Sequence, residues 1–132
     1  MDMEVLSIVS GLSLTSMRLR PAILPGYRRV RVQDVQYPAV YASEDHSVEG
    51  LAVHGIPQPA TARLRLFEND GYDLAVEPVV IGDSTNRKAA LFAATARMNL
   101  TDEDWSFEDW RRQHRRQFLL RVKAWAEKLP RS

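Results

Sequence analysis

Apolar positions near the start of the chain fall at helical spacing: Val5, Leu6 and Val9 share one face of the stretch DMEVLSIVSG. Asp2 stands where an N-cap acceptor is wanted and Gly11 where a left-handed stop is wanted, so the pattern predicts a short helix between them. Past a break at Pro25-Gly26 the period drops to two. Val30 and Val32 alternate with Arg29, Arg31 and Gln33, the pattern of a half-buried strand. YPAVYA and SVEGLAV predict two further short strands, and the prolines between Ile56 and Pro59 predict a turn. Ala60 to Phe67 can form one or two helical turns that end near Glu68.

Alternation returns in YDLAVEPVVIG, where Tyr72, Leu74 and Val76 face one way and Asp73 and Glu77 the other. GDSTN supplies turn residues, and RKAALFAATA predicts the returning strand of a hairpin. The last stretch changes character. Ser106 with Asp109 three residues on predicts a capped start. Phe107, Trp110, His114, Phe118, Val122, Trp125 and Leu129 then recur at spacings of three and four, the stripe of one long C-terminal helix. The expected fold class is α+β, a single domain over residues 1–132: a small mixed β-barrel or curled sheet with flanking helices.

Composition narrows the function classes. The chain has 132 residues, 45% hydrophobic and 27% charged, with a net charge of +1. That balance supports a real core and gives no overall field for nucleic acid or an anionic membrane. There is no cysteine, which removes disulfides, thiol catalysis and thiolate zinc sites. No apolar run reaches the length of a membrane span, and Asp2 and Glu4 replace the basic start of a secretory signal. A cytoplasmic protein is expected.

The candidate chemistry is sparse. His46 lies in the polar stretch SEDHS, read as a turn, His54 follows a strand, and His114 sits on the helix stripe. None has a second ligand at metal-binding spacing, so no metal site is expected. Arg111, Arg112, Arg115, Arg116, Arg121 and Lys123 lie mostly off the stripe and suit a solvated helix face. With the three tryptophans on or beside that stripe, no nucleic-acid partner is expected. No GxSxG and no glycine-rich phosphate loop occurs. Glu68 is harder to place. Leu64, Leu66 and Phe67 draw the backbone inward just before it, Asn69-Asp70-Gly71 turns the chain just after it, and Tyr72 opens a buried strand. A glutamate there is either a solvated helix-end carboxylate or a partly desolvated one. Desolvation would lift its pKa from about 4.3 toward neutrality, where it can accept and return a proton.

LPGYRRV, YPAV, SVEG and RLRLFENDGY occur in that order, and DWSFEDWRRQHRRQFL follows. Together they resemble the γ-glutamylcyclotransferase-like family, which includes the plant avirulence-induced proteins and many small bacterial members. The resemblance spans nearly the whole chain. It implies a small mixed barrel with flanking helices and a transferase-type internal cyclisation. In that reaction the α-amine of a γ-glutamyl group attacks its own γ-carbonyl, releasing 5-oxoproline and an amine or amino acid. It further implies Glu68, the glutamate of Phe-Glu, as general acid/base, Tyr37 and Tyr72 as substrate-binding residues, and no cofactor.

The chain departs from the family pattern at several positions. Asn69 replaces a glycine, Leu74 stands where arginine is common, and Phe92 stands for a late tyrosine. The family's strand ending in Tyr-Gly-Thr-Leu, with its substrate-holding loop, is not found in this sequence, whose start MDMEVLSIVSG resembles the helix just after that loop; a start lying further upstream and a lost substrate cradle are both weighed. Two functions are therefore weighed. One is a γ-glutamylcyclotransferase acting on a small γ-glutamyl amine or peptide. The other is a catalytically silent relative serving as a small-molecule or protein-binding module. An unpaired sheet edge is expected near residues 48–53 or 87–96, and such an edge leaves a homodimer open.

Overall fold

Asp2 starts the first helix. Its carboxylate accepts from the backbone N–H groups of Glu4 and Val5 at 2.9 and 3.2 Å, two donors that no helical carbonyl can reach. Gly11, at φ +77°, ends the same helix and returns its N–H to the Ser7 carbonyl. A computed structural model describes residues 2–68, 71–82 and 85–129. The chain divides into two compact units. A helical unit draws on segments 1–17, 55–67 and 106–132, and a sheet unit on 18–54 and 68–105.

The helical unit holds α1 (Met3–Ser10), a 3-10 turn (Leu14–Ser16), most of α2 (Gln58–Glu68), α3 (Phe107–Gln113) and α4 (Arg115–Glu127). Val5, Leu6 and Val9 of α1 are buried. Two arginines distant in sequence hold the ends of α1. Arg115 donates to Asp2 at 2.9 Å, and Arg63 donates to the carbonyls of Val9 and Ile8 at 2.7 and 3.1 Å. A cation on the last carbonyls of a helix also meets the negative end of its dipole.

The expected single C-terminal helix is two helices. Ser106 caps the first by accepting from the Asp109 N–H, as the spacing predicts. His114 then leaves helical geometry at φ −126° and separates α3 from α4. At this joint Phe118 meets Trp110 edge-on at 5.6 Å, and Leu119, off the predicted stripe, is buried. Trp110 and Val122 are buried as expected, but Phe107 stays at the surface and stacks on the Trp110 ring. Arg115 is no member of a solvated face, because it is committed to Asp2 and Glu4. In α2, Leu64 is buried and Leu66 is 59% exposed, so only part of the expected inward pull before Glu68 exists. Phe67 packs edge-on against Phe118 and Trp125.

The sheet unit is antiparallel throughout. It comprises β1 (Arg18–Val32), β2 (Pro38–His54), β3 (Tyr72–Ile81), β4 (Thr85–Ala94) and β5 (Leu100–Asp104). The order is β2-β1-β3-β4, with β5 also on β1. Among the described residues the sheet is open, with β2 and β4 each next to a single strand. Pro25-Gly26 is a register irregularity within a continuous β1, not a break, and the surplus residues, 43 to 46, are on β2. The register passes from Pro25↔Ser47 to Tyr27↔Ala42, with Gly26 at φ +77°. The two short strands expected at 37–42 and 47–53 are correspondingly one, and His46 belongs to it, bonded to the Ser43 hydroxyl at 2.7 Å. The hairpin of β3 and β4 has the expected register from Tyr72↔Ala94 to Ile81↔Thr85. Its turn residues Asp83 and Ser84 lie outside the described residues, as do Asn69 and Asp70.

β5 escapes the periodicity because TDED is too polar to look like a strand. Its acids are instead the partners of β1. Arg28 binds Asp102 and Asp104 at 2.8 and 2.9 Å, and Arg31 binds Glu103 at 3.1 Å. Trp105 closes β5 and belongs to the sheet unit, not to the helix stripe where the sequence pattern put it.

Two stability outcomes follow. Trp110→Ala removes a buried ring from between Phe107 and Phe118 and should cost about 3–5 kcal/mol in urea unfolding. A loss under about 1 kcal/mol would show that the stripe is not core. Asp2→Ala removes cap and ion pair together and should cost about 1–2 kcal/mol, whereas Asp2→Asn, which keeps a cap acceptor, should cost less. Burial works to raise the Asp2 carboxyl. The Arg115 hydrogen bond and charge and the Val5 and Glu4 N–H groups outweigh it, so the net direction is down from 3.8. A lowered folded pKa means this stabilisation is present above that value and fades as acid titrates the folded carboxyl below it. Thermal melts of Asp2→Asn and wild type should therefore converge under acid.

Candidate active site

Glu68 is the last residue of α2 and is half-buried. Burial pushes its carboxyl from 4.5 up to about 7, because the charged form loses hydration that the neutral form needs less. Of the two readings open from sequence, this half-burial favours the partly desolvated carboxylate.

Tyr72 opens β3, and its hydroxyl donates to the Pro38 carbonyl at 2.8 Å. Burial raises its pKa most, and the negative charge of Glu68 and the phenol of Tyr37 add to the effect. Tyr72 is thus a neutral hydroxyl at any physiological pH. The rings of Tyr37 and Tyr72 lie 6.5 Å apart at 50°. The three residues singled out from sequence, Glu68, Tyr37 and Tyr72, are accordingly brought together in the sheet unit.

What fixes Tyr37 was not legible in the sequence pattern. The loop from Gln33 to Tyr37 is held along its length. Asp34 turns it at φ +64°, the Gln33 N–H donates to the Asn99 carbonyl, and the Trp105 indole N–H donates to the Gln36 carbonyl at 2.9 Å. The Tyr72 hydroxyl then takes the Pro38 carbonyl. Tyr37 is therefore bracketed by two backbone carbonyls that carry side-chain donors. On the far side of the helix end, Thr95 donates both its N–H and its hydroxyl to the Gly71 carbonyl and fixes the start of β3.

The departures from the family pattern also have places. Leu74 and Phe92 face each other across the β3–β4 ladder, with Leu74 40% exposed. Among the described residues no three His, Asp or Glu side chains gather closely enough to hold a metal ion, and no helix is long and apolar enough to cross a membrane.

The family described as Gamma-glutamyl cyclotransferase, AIG2-like matches residues 5–112. AIG2-like protein A of Arabidopsis thaliana is 28% identical over 102 residues, covering 74% of this chain and 61% of that protein. AIG2-like protein D of the same plant is 29% identical over 113 residues, covering 82% and 73%. The chain spans about six-tenths of the length of the first curated relatives it matches. Two solution structures of Arabidopsis thaliana proteins share the fold. One has a TM-score of 0.66 at 23% identity over 98% of this chain and 88% of its own, the other 0.64 at 22% over 96% and 76%. On the family match to residues 5–112, the chain belongs to the γ-glutamyl cyclotransferase, AIG2-like family.

Proposed function

We propose that the chain is a γ-glutamylcyclotransferase, in which Glu68 moves the protons of an internal cyclisation and Tyr37 and Tyr72 wall the substrate. The observation that carries this reading is a glutamate held half-buried at a helix end, with its carboxyl lifted to about 7 beside two tyrosines. The family match supports the substrate class, a small γ-glutamyl compound.

The reaction makes two opposite demands. The substrate α-ammonium has to lose a proton before its nitrogen can attack the γ-carbonyl carbon. The tetrahedral intermediate then breaks the bond from that carbon to the departing nitrogen, which has to gain a proton. A carboxylate with a pKa near 7 serves as base first and acid second, because both forms are populated at working pH. The attacking nitrogen sheds two protons in all, one before attack and one from the tetrahedral adduct. Glu68 passes one of them to the departing nitrogen, and the second leaves through solvent with the amine as its ammonium, so Glu68 ends as it began. The products are 5-oxoproline and the freed amine. Tyr72, kept neutral and bonded to the Pro38 carbonyl, walls the site without adding negative charge.

One observation favours a second reading. Leu74 and Phe92 form an apolar cross-strand pair where the family pattern places arginine and tyrosine. A silent relative that binds a small molecule or a protein without turning it over fits those changes. Assay of 5-oxoproline release from a panel of γ-glutamyl amines and dipeptides separates the two.

Glu68→Gln keeps the shape of the side chain and removes its proton chemistry. It should lower 5-oxoproline release by at least a hundredfold, about the contribution of one general acid–base group. Parental turnover in that variant would end the assignment. In the parent, kcat/KM should fall about tenfold per pH unit below 7, as Glu68 becomes protonated before it can act. Stability carries the same signature with a defined sign. A folded pKa of about 7 against 4.5 means the native state holds the extra proton between those values. The stabilisation is complete below pH 4.5 and is lost as pH rises through 7, up to about 3 kcal/mol in all. Urea midpoints of Glu68→Gln should lack that slope.

A further inference from the structure

β1 carries three arginines in succession after Tyr27, and two of them are spoken for. Arg28 binds Asp102 and Asp104, and Arg31 binds Glu103. Arg29 lies between them and is different. It is half-buried, and its Nε donor is shut away from solvent with no partner among the described residues. The Glu49 carboxylate acts on it through space only, while burial pulls the guanidinium down from its usual range. The guanidinium carbon lies over the Trp105 ring, 5.1 Å from its centroid, within cation–π range. A buried cationic donor left without an acceptor is costly, and guanidinium matches carboxylate geometry better than any other side chain does. The arrangement is that of a fork waiting for a planar anion.

Its place in the sheet unit connects it to the site. Trp105, under Arg29, donates its indole N–H to the Gln36 carbonyl. The next residue is Tyr37, whose ring meets Tyr72, and the charge of Glu68 acts on Tyr72. Cation, indole, loop and tyrosine pair are thus linked step by step within the sheet unit. We propose that Arg29, held over Trp105, binds the α-carboxylate of the γ-glutamyl substrate. The substrate identity rests on the cyclotransferase reading, but the carboxylate site does not. A γ-glutamyl group has its α-carboxylate on the carbon that bears the attacking amine. Anchoring that end limits the rotation that carries the amine away from the γ-carbonyl.

A matched pair of probes tests the site on the unaltered protein. 5-Oxoproline and 2-pyrrolidinone share a ring and differ by the carboxylate. Each is titrated against 15N-labelled protein while the Trp105 indole cross-peak, assigned by its loss in Trp105→Phe, is followed. 5-Oxoproline should shift it saturably and 2-pyrrolidinone should not. Arg29→Met should weaken 5-oxoproline at least tenfold, and Arg29→Lys, which keeps charge without the fork, should fall between. Equal shifts from both probes, no saturable shift from 5-oxoproline, or parental affinity in Arg29→Met would each overturn the proposal. If Arg29→Met does not fold, the probe pair and Arg29→Lys decide. In turnover assays the Arg29 variants should raise KM at least tenfold through the lost anchor and lower kcat through the lost orientation. Glu68-dependent turnover with KM unmoved by Arg29→Met would sink the carboxylate site and leave the reaction standing. Carboxylate-specific binding through Arg29 in a protein that cyclises nothing would do the reverse.

Discussion

The sheet unit depends on β1, whose fifteen residues pair with three other strands. Its two halves serve different ends. The first half joins β2 to β3, and the second joins β2 to β5. The register irregularity at Gly26 marks this division. At that point one residue of β1 stands opposite four of β2, 43 to 46, so the surplus length is taken up on β2 while β1 runs on. Beyond it Val30 and Val32 are buried and Arg31 between them is exposed. Glycine suits the position because its backbone angle there is one that other residues adopt at a cost.

Features governed by near neighbours were legible in the sequence. Asp2 and Gly11 bound α1, Ser106 caps α3, and the β3–β4 hairpin keeps its alternation. Features set by distant partners were not. Pro25-Gly26 resembles a chain break because the strand opposite it, which absorbs the irregularity, is invisible locally. The acids of β5 resemble a solvated linker because Arg28 and Arg31 lie about 70 residues away. Trp105 stands in sequence just before the stripe, and nothing local shows that its indole belongs to the Gln36 carbonyl.

The candidate site divides along the same line. Glu68 could be singled out because its neighbours in sequence suggest a helix end sinking into a core. The reason its carboxyl is lifted, loss of hydration, is a property of the fold. Tyr37 and Tyr72 came from resemblance, while the contacts that hold them are to main-chain carbonyls, which every residue has and no pattern can mark. Arg29 looked like one of several alternating arginines on a half-buried strand. The pairing of Arg28 and Arg31 with β5 acids sets it apart, since among the described residues its Nε has no partner.

The order of segments in the helical unit affects synthesis in the cell. That unit takes its pieces from the beginning, middle and end of the chain, and the bond from Arg115 to Asp2 joins residues 113 apart. A ribosome adding about 5–20 residues per second needs on the order of ten seconds to cover that distance. Through that interval α1 has emerged without the arginine that holds its first residue. Eight residues are too few for a helix to persist alone in water. The face of Val5, Leu6 and Val9 that is buried in the finished unit is therefore left uncovered by α4 until the last of the three segments has been made.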